Sequence, residues 1–318
     1  MMTDFGATST ADEVLEGKDL TGKLVFITGG ASGLGQETAR AMAAKGAHVV
    51  IAARDQAKLD EAAQAIRDGS GSDAVETILC DLASLSSVRA CAKETNERFD
   101  RIDLMINNAG VMACPFATTA DGFEMQFGTN HIGHFLLTNL LVPLIKKGTQ
   151  PRIVNLSSRG HVFADVDHDD PNYQNREYEK WAAYGQSKTA NIQFTVGLHS
   201  RLARHGIQSY ALHPGGIMTN LGRHMTQEDM EWMTKRVKEN AGDGPGLKSI
   251  PQGAATTCYA ATAAELDGQG GVYLEDCHVA AIDDVSQKDG VRSYALDPAK
   301  AERLWAVSEQ MVGETFAY

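Results

Sequence analysis

Cysteine is scarce in this 318-residue chain: Cys80, Cys91, Cys114, Cys258 and Cys277 are scattered along it, with no C-x-x-C pair. An odd, dispersed set excludes a disulfide framework and a zinc ribbon, and a reducing cytoplasm is the compartment it suits. Long apolar runs are missing as well. No segment reaches the ~18 to 20 apolar residues of a membrane span, and the opening MMTDFGATSTADEVLEGKD lacks the basic and apolar regions of a secretory signal. A soluble protein is therefore expected. Positive charge is short: 29 Lys and Arg stand against 41 Asp and Glu, a formal net charge of −12. Non-specific attraction to nucleic acid or to anionic lipid needs a basic surface, which this composition does not supply. Also absent are a Pro/Gly/Ser-rich linker and an internal repeat, which points to one domain over residues 1–318. That length buries a sizeable core without metals or cross-links.

What the sequence does have is alternation. KLVFIT, AHVVIAA, VETILC, IDLMINN, PRIVNLS and IQSYALHP are short β-branched runs, separated by stretches with helical periodicity such as DQAKLDEAAQAIRD and SLSSVRACAKETNERF. Repeated βα units of this length predict an α/β fold, a doubly wound parallel sheet covered by helices on both faces. Residues 1–20 are expected to be an N-terminal extension. Residues 159–180 and 221–251 are long connections, a length usually reserved for function or disorder; the second contains the amphipathic TQEDMEWMTKRVKE. Residues 297–318 read as a C-terminal helix with Asp297 as cap, Pro298 in the first turn, and Leu304, Val307 and Met311 on one face. It is expected to pack on the domain or on a partner subunit.

Between the first strand and its helix lies TGGASGLG, Thr28 to Gly35. A glycine turn that opens a helix aims backbone N–H groups and the positive end of the helix dipole at one point, which suits a pyrophosphate. A P-loop needs Lys and Ser/Thr after its last glycine, whereas Gly35 is followed by Gln36 and Glu37. A nucleotide triphosphatase is thereby excluded. Two metal-like groupings carry less. Asp165, Asp167, Asp169 and Asp170 with His168 suit a solvated loop, and the i, i+3 pair His131 and His134 has no clear third ligand. No metal is expected.

TGGASGLG, Asp81-Leu82, NNAG at 107–110, Asn130, the pair Ser157-Ser158, YGQSK at 184–188 and HPGGIMT at 213–219 occur in one order. Together they resemble the short-chain dehydrogenase/reductase family, over roughly residues 20 to 282. GTNHIGHFLLT and WAAYGQSKTAN are most similar to the subgroup of retinol dehydrogenases and protochlorophyllide reductases. The resemblance implies a Rossmann-type domain binding a nicotinamide dinucleotide. Gly29, Ser32, Gly33, Leu34 and Gly35 would then hold the pyrophosphate. Asp81 and Leu82 would lie at the adenine, Asn107, Ala109 and Gly110 along the groove, and Pro214, Gly215, Ile217 and Thr219 at the carboxamide.

An acid near the end of the second strand serves an NAD ribose, whereas NADP needs a cation for its 2′-phosphate. That strand ends Ala52-Ala53-Arg54-Asp55, with Asp55 at the general NAD spacing, twenty residues after Gly35. In the family the discriminating acid stands where this chain has Ala53, and an Arg next to it is typical of NADP users. Arg54 can hold phosphate oxygens in bidentate fashion. NADP(H) is expected, with NAD(H) as the alternative.

Tyr184 and Lys188 stand at i and i+4, on one helical face. Reducing a ketone requires a proton donor whose pKa is near the working pH, while free tyrosine titrates near ~10. A neighbouring Lys188 ammonium is expected to lower Tyr184. By resemblance Tyr184 is acid and base, Lys188 also binds the nicotinamide ribose, Ser158 donates to the substrate oxygen, and Asn130 holds a relay water. Ser157 is the alternative to Ser158. The 26-residue separation of Ser158 and Tyr184 implies extra structure beside the site.

Leu221, Met225, Met230, Trp232 and Met233 suggest a lid over residues 221–251, above an apolar pocket for bulky carbonyl or alcohol substrates. The expected reaction is NADPH-dependent reduction of a ketone or aldehyde, or the reverse oxidation. The alternatives are an NAD-dependent alcohol dehydrogenase, reduction of a conjugated C=C bond, and a cofactor-binding regulator without turnover. The resemblance also implies a homodimer or homotetramer.

Overall fold

Strands of a sheet covered on both faces must be mostly apolar on both sides, and the six runs largely meet that condition, VETILC least, with Glu76 and Thr77. In the computed structural model, which describes residues 5–241, 246–286 and 288–318, they form β1 (Leu24–Thr28), β2 (His48–Ala53), β3 (Val75–Leu79), β4 (Leu104–Asn107), β5 (Arg152–Leu156) and β6 (Gln208–His213). Two further strands, β7 (Val272–Glu275) and β8 (His278–Val279), extend the sheet beyond the six read from the sequence. The order is β3-β2-β1-β4-β5-β6-β7-β8, parallel throughout except for the antiparallel β8. The chain reverses its winding between β1 and β4, so a crevice opens at the carboxyl ends of these central strands.

Helices α1 (Ala11–Val14), α2 (Gly33–Ala43), α3 (Gln56–Ser70), α4 (Leu85–Arg98), α5 (Met125–Phe127), α6 (Gly133–Ile145), α7 (Lys180–Leu202), α8 (Gln227–Ala241), α9 (Ile250–Thr262) and α10 (Pro298–Val312) complete the fold. Alternate residues of a strand face opposite sides. Val25 and Ile27 of β1 accordingly join one core layer with Met42, Leu59 and Cys258, under α2, α3 and α9. Leu24 and Phe26 join the other, with Phe135, Phe194 and Trp305 from α6, α7 and α10. Local caps fix where helices start: Asp55 caps α3, Ser249 and Gln252 form a capping box on α9, and Asp297 caps α10.

The N-terminal stretch is not an appendage in its described part. Ala11, Val14 and Leu15 are buried against α9 and α2, and Arg40 pairs with Asp12. The C-terminal helix packs on α7 through Ala301, Leu304, Trp305 and Ser308; Val307 and Met311 are only half-buried. The acidic loop is docked rather than merely solvated: Asp165 pairs with Lys300, Asp169 with Arg303, and Asp167 and Asp170 lie beside Arg176. Among the described residues no helix is long and apolar enough to cross a membrane.

The two histidines of the GTNHIGH segment point in opposite directions. His131 meets Ser308 of α10 at 2.7 Å, and His134 meets Thr28 of β1 at 2.8 Å. Burial holds both neutral, bringing His131 to about 3 and His134 to about 4. Unfolded histidines near ~6.5 take up protons that the native state refuses. Their contribution to stability is therefore complete above that pH and falls as the pH drops through about 4 and about 3. Buried Glu124 and Glu275, raised chiefly by desolvation, act the other way. Urea denaturation at stepped pH should show stability falling on acidification, and His131→Gln should flatten that slope.

Candidate active site

The glycine turn works because β1 and the segment after β4 nearly touch. Gly29 has φ +68°, and a Cβ there would lie 2.8 Å from the Ala109 backbone. Asn108 donates its side-chain amide to the Thr28 carbonyl at 2.8 Å, tying NNAG to the turn. Thr28 Oγ1 accepts the backbone N–H groups of Asn108 (3.0 Å) and Ala109 (3.1 Å). With both acceptor positions used, its proton goes to His134 Nε2, whose Nδ1–H donates to the Asn130 carbonyl at 2.9 Å. One hydroxyl thus fixes the turn, the groove and the tautomer of His134. Ser32 caps α2 by position but makes no side-chain capping bond. Its hydroxyl and the first N–H groups of α2 remain for an anionic ligand.

Ser158 and Tyr184 come together at the carboxyl end of β5. Ser158 Oγ accepts Gly160 N–H at 3.0 Å and is hydrogen-bonded to the Tyr184 phenol. Ser157 points the other way: it is buried and donates to the Lys188 carbonyl at 2.7 Å. Lys188 Nζ donates to the Leu156 carbonyl at 3.0 Å and lies 5.8 Å from the Tyr184 ring centroid. The expected lowering of Tyr184 by Lys188 is absent. Burial pushes Tyr184 up to about 12, opposed by the Ser158 hydrogen bond, and burial brings Lys188 down to about 8. Desolvation dominates because both groups are enclosed.

Around these residues runs one cavity of about 1420 Å³. Gly29, Ser32, Gly33 and Leu34 of the turn line it, together with Arg54, Asp81, Leu82, Ala109 and Gly110. Pro214, Gly215, Ile217 and Thr219 line it too, as do Ser158, Tyr184 and Lys188. Three expected residues stand behind that lining. Gly35 is packed under Asn108 and the Gly29 carbonyl. Asn107 is buried, donating to Thr138 Oγ1 (2.8 Å) and Asn155 Oδ1 (2.7 Å), and its neighbour Asn108 takes the groove position. Asn130 sits in a π-helical turn, Gly128–Ile132, where its amide bonds Val111 N–H, the Val111 carbonyl and Ser187 Oγ. That side chain is fully buried and braces the site from behind.

Arg54 is exposed, and the two carboxylates that could neutralise it are engaged elsewhere: Asp55 caps α3 and meets Lys58, and Glu37 pairs with Arg40. Part of the cavity wall is apolar. Leu221, Met225 and Met233 pack with Trp181 around Met112 and Tyr184. Phe163, Trp181 and Trp232 form an aromatic cluster with centroids 5.0 to 6.2 Å apart. Lys180 pairs with Asp229, which also accepts from Thr226, and this pins the start of α8 to the start of α7.

Known proteins share this family and fold. The short chain dehydrogenase family model matches residues 23–230. Retinol dehydrogenase 13 of Homo sapiens is 42% identical over 298 residues, covering 92% of this chain and 86% of its own. Short-chain dehydrogenase/reductase prx1 of Penicillium roqueforti is 38% identical over 317 residues, covering 96% and 91%. Among solved structures, an uncharacterized protein from Mycobacterium Paratuberculosis superposes with a TM-score of 0.73 at 35% identity, covering 98% of this chain and 100% of that one. A gluconate 5-dehydrogenase from Burkholderia cenocepacia, in complex with NADP and tartrate, gives 0.62 at 27% identity, covering 83% and 95%. The chain belongs to the short-chain dehydrogenase/reductase family, in its retinol dehydrogenase-like subgroup, and is an NAD(P)-dependent oxidoreductase.

Proposed function

We propose that this protein is an NADP(H)-dependent oxidoreductase that interconverts bulky hydrophobic ketones or aldehydes with their alcohols. The observation that carries the reading is one cavity lined by Arg54, by the Ser158, Tyr184 and Lys188 side chains, and by the apolar Leu221, Met225 and Met233. A dinucleotide fits the cradle. The turn at Gly29 has no room for a Cβ, the Ser32 hydroxyl makes no capping bond, and Arg54 lacks a carboxylate partner among the described residues. The gluconate 5-dehydrogenase structure contains NADP, and the retinol dehydrogenases are named for retinol; both support the reading.

When bound, the nicotinamide supplies or accepts the hydride. Tyr184 then holds the proton that matches it: protonated near neutral pH, its Oη donates to the carbonyl oxygen in reduction, and as phenolate it accepts the alcohol proton in oxidation. Ser158 Oγ donates to the same oxygen as charge develops there. Lys188, held to the end of β5 through the Leu156 carbonyl, would hold the nicotinamide ribose. Asn130 positions rather than touches: it locks Val111 of the groove to Ser187, whose hydroxyl donates to the Tyr184 carbonyl at 2.8 Å.

Two substitutions test the assignment. Tyr184→Phe should abolish turnover while leaving NADPH affinity intact, as read by steady-state assay and fluorescence titration; turnover retained in this variant contradicts the mechanism. Gly160→Ala would place a Cβ 2.7 Å from the Tyr184 ring. Displacing that ring should lower kcat on the order of 10- to 100-fold without weakening the coenzyme.

A further inference from the structure

Residues 215–217 belong to the stretch that the family resemblance puts at the nicotinamide carboxamide, and a side chain from just before α9 grips them. Lys248 donates its backbone N–H to the Gly216 carbonyl at 2.8 Å and forms an isolated parallel bridge with Ile217. Its methylenes lie across Gly215, where a Cβ would come 2.6 Å from Lys248 Cδ and 2.9 Å from Cε. The ammonium then reaches the Asp276 carboxylate, with the lysine side chain only 6% exposed. Asp276 and Cys277 are the two residues between β7 and β8, and both have positive φ, +45° and +60°. Such a hairpin turn favours glycine at its second position, where Cys277 stands. A strained backbone persists only where its surroundings hold it. Here Cys277 N–H donates to Thr256 Oγ1 of α9 at 3.3 Å, and Glu275, just before the turn, accepts Gly290 N–H at 2.7 Å. On the other side His213 Nδ1 accepts the Arg159 N–H at 3.0 Å, so the residue after Ser158 is bound to the residue before Pro214.

We propose that Lys248 and Asp276 are positioning residues for the nicotinamide half of the coenzyme: their ion pair clamps residues 215–217 to the β7–β8 turn and so fixes where the ring lies relative to Ser158 and Tyr184. The proposal rests on the NADP(H) reading above. Sheet register makes the clamp short, because β6 and β7 run parallel with His213 opposite Glu275. The carboxamide stretch and the strained turn therefore leave neighbouring strands at one level. Gly215 and Gly216 have no side chains with which to hold themselves in place. The Lys248 stem supplies the missing packing and its charged head supplies the anchor. Hydride transfer depends steeply on the approach geometry, so an anchor outside the reacting atoms still governs the rate.

Titration of the whole protein with NADPH and with adenosine 2′,5′-bisphosphate, which lacks the nicotinamide, separates this role from a general structural one. Lys248→Met keeps the stem over Gly215 and removes the charge, and Asp276→Asn removes the partner charge. Each should weaken NADPH on the order of tenfold, the scale of one lost hydrogen bond, and leave the bisphosphate unchanged. Each should also lower the fluorescence anisotropy of the reduced nicotinamide at saturation. The double variant should lose no more than either single one, because the two residues act as a pair. Equal weakening of NADPH and the bisphosphate, or unchanged NADPH affinity and anisotropy in both variants, overturns the clamp and leaves the NADP(H) reading standing. Losses that multiply in the double variant overturn the pairing. Wild-type protein that binds neither ligand overturns the NADP(H) reading together with the clamp.

Discussion

The Thr28 hydroxyl is where the strands, the glycine turn and helix α7 are tied together. It receives the Asn108 and Ala109 N–H groups and gives its own proton to His134. His134 in turn holds the Asn130 carbonyl, and the Asn130 side chain reaches Ser187 and hence the Tyr184 backbone. Every member of this chain is buried or nearly so, which makes a missing partner costly and the arrangement specific. Neutral His134 is required, since an imidazolium has no acceptor for the Thr28 proton. Burial supplies that neutrality.

The same economy governs the long insertion between Ser158 and Tyr184. His161, neutral because burial brings it to about 4, donates through Nδ1 to the Ser158 carbonyl and accepts Arg292 N–H at Nε2. Thr189 of α7 donates to the Ala164 carbonyl, and Gln186 donates to that of Pro171. Asp165 and Asp169 anchor the segment on α10 through Lys300 and Arg303. The insertion therefore braces Ser158 from one side while Phe163 supplies part of the aromatic wall. A stretch that interrupts the βα rhythm has become the support of the aromatic wall.

Much of this was legible in the residues. The six strand runs are largely buried, the edge strand β3 least so, as a covered parallel sheet requires, and TGGASGLG with Tyr184 and Lys188 marked the cleft. The misses have physical causes. VYLE, strand β7, is too short to show a period and follows Gly270-Gly271. The early helix Ala11–Val14 looks polar because only Ala11, Val14 and Leu15 turn inward. Asn107 and Asn108 cannot be told apart by composition; their roles are set by which one still belongs to β4. Partners of Thr28 lie 80, 81 and 106 residues away in sequence, beyond any local pattern. The tyrosine's high pKa was unreadable for a different reason, since burial is a property of the packed cleft.

The central claim is that the lid end of the cleft takes large apolar carbonyl compounds while Arg54 and the glycine turn take NADPH. Its most direct measurement is NADPH oxidation, followed by nicotinamide absorbance, with a bulky aryl ketone and with a small polar ketone at equal concentrations. The account predicts that kcat/KM is much higher for the aryl ketone, with one alcohol formed per NADPH consumed. Preference for the small polar ketone, or no oxidation by any carbonyl compound despite tight NADPH binding, would contradict it.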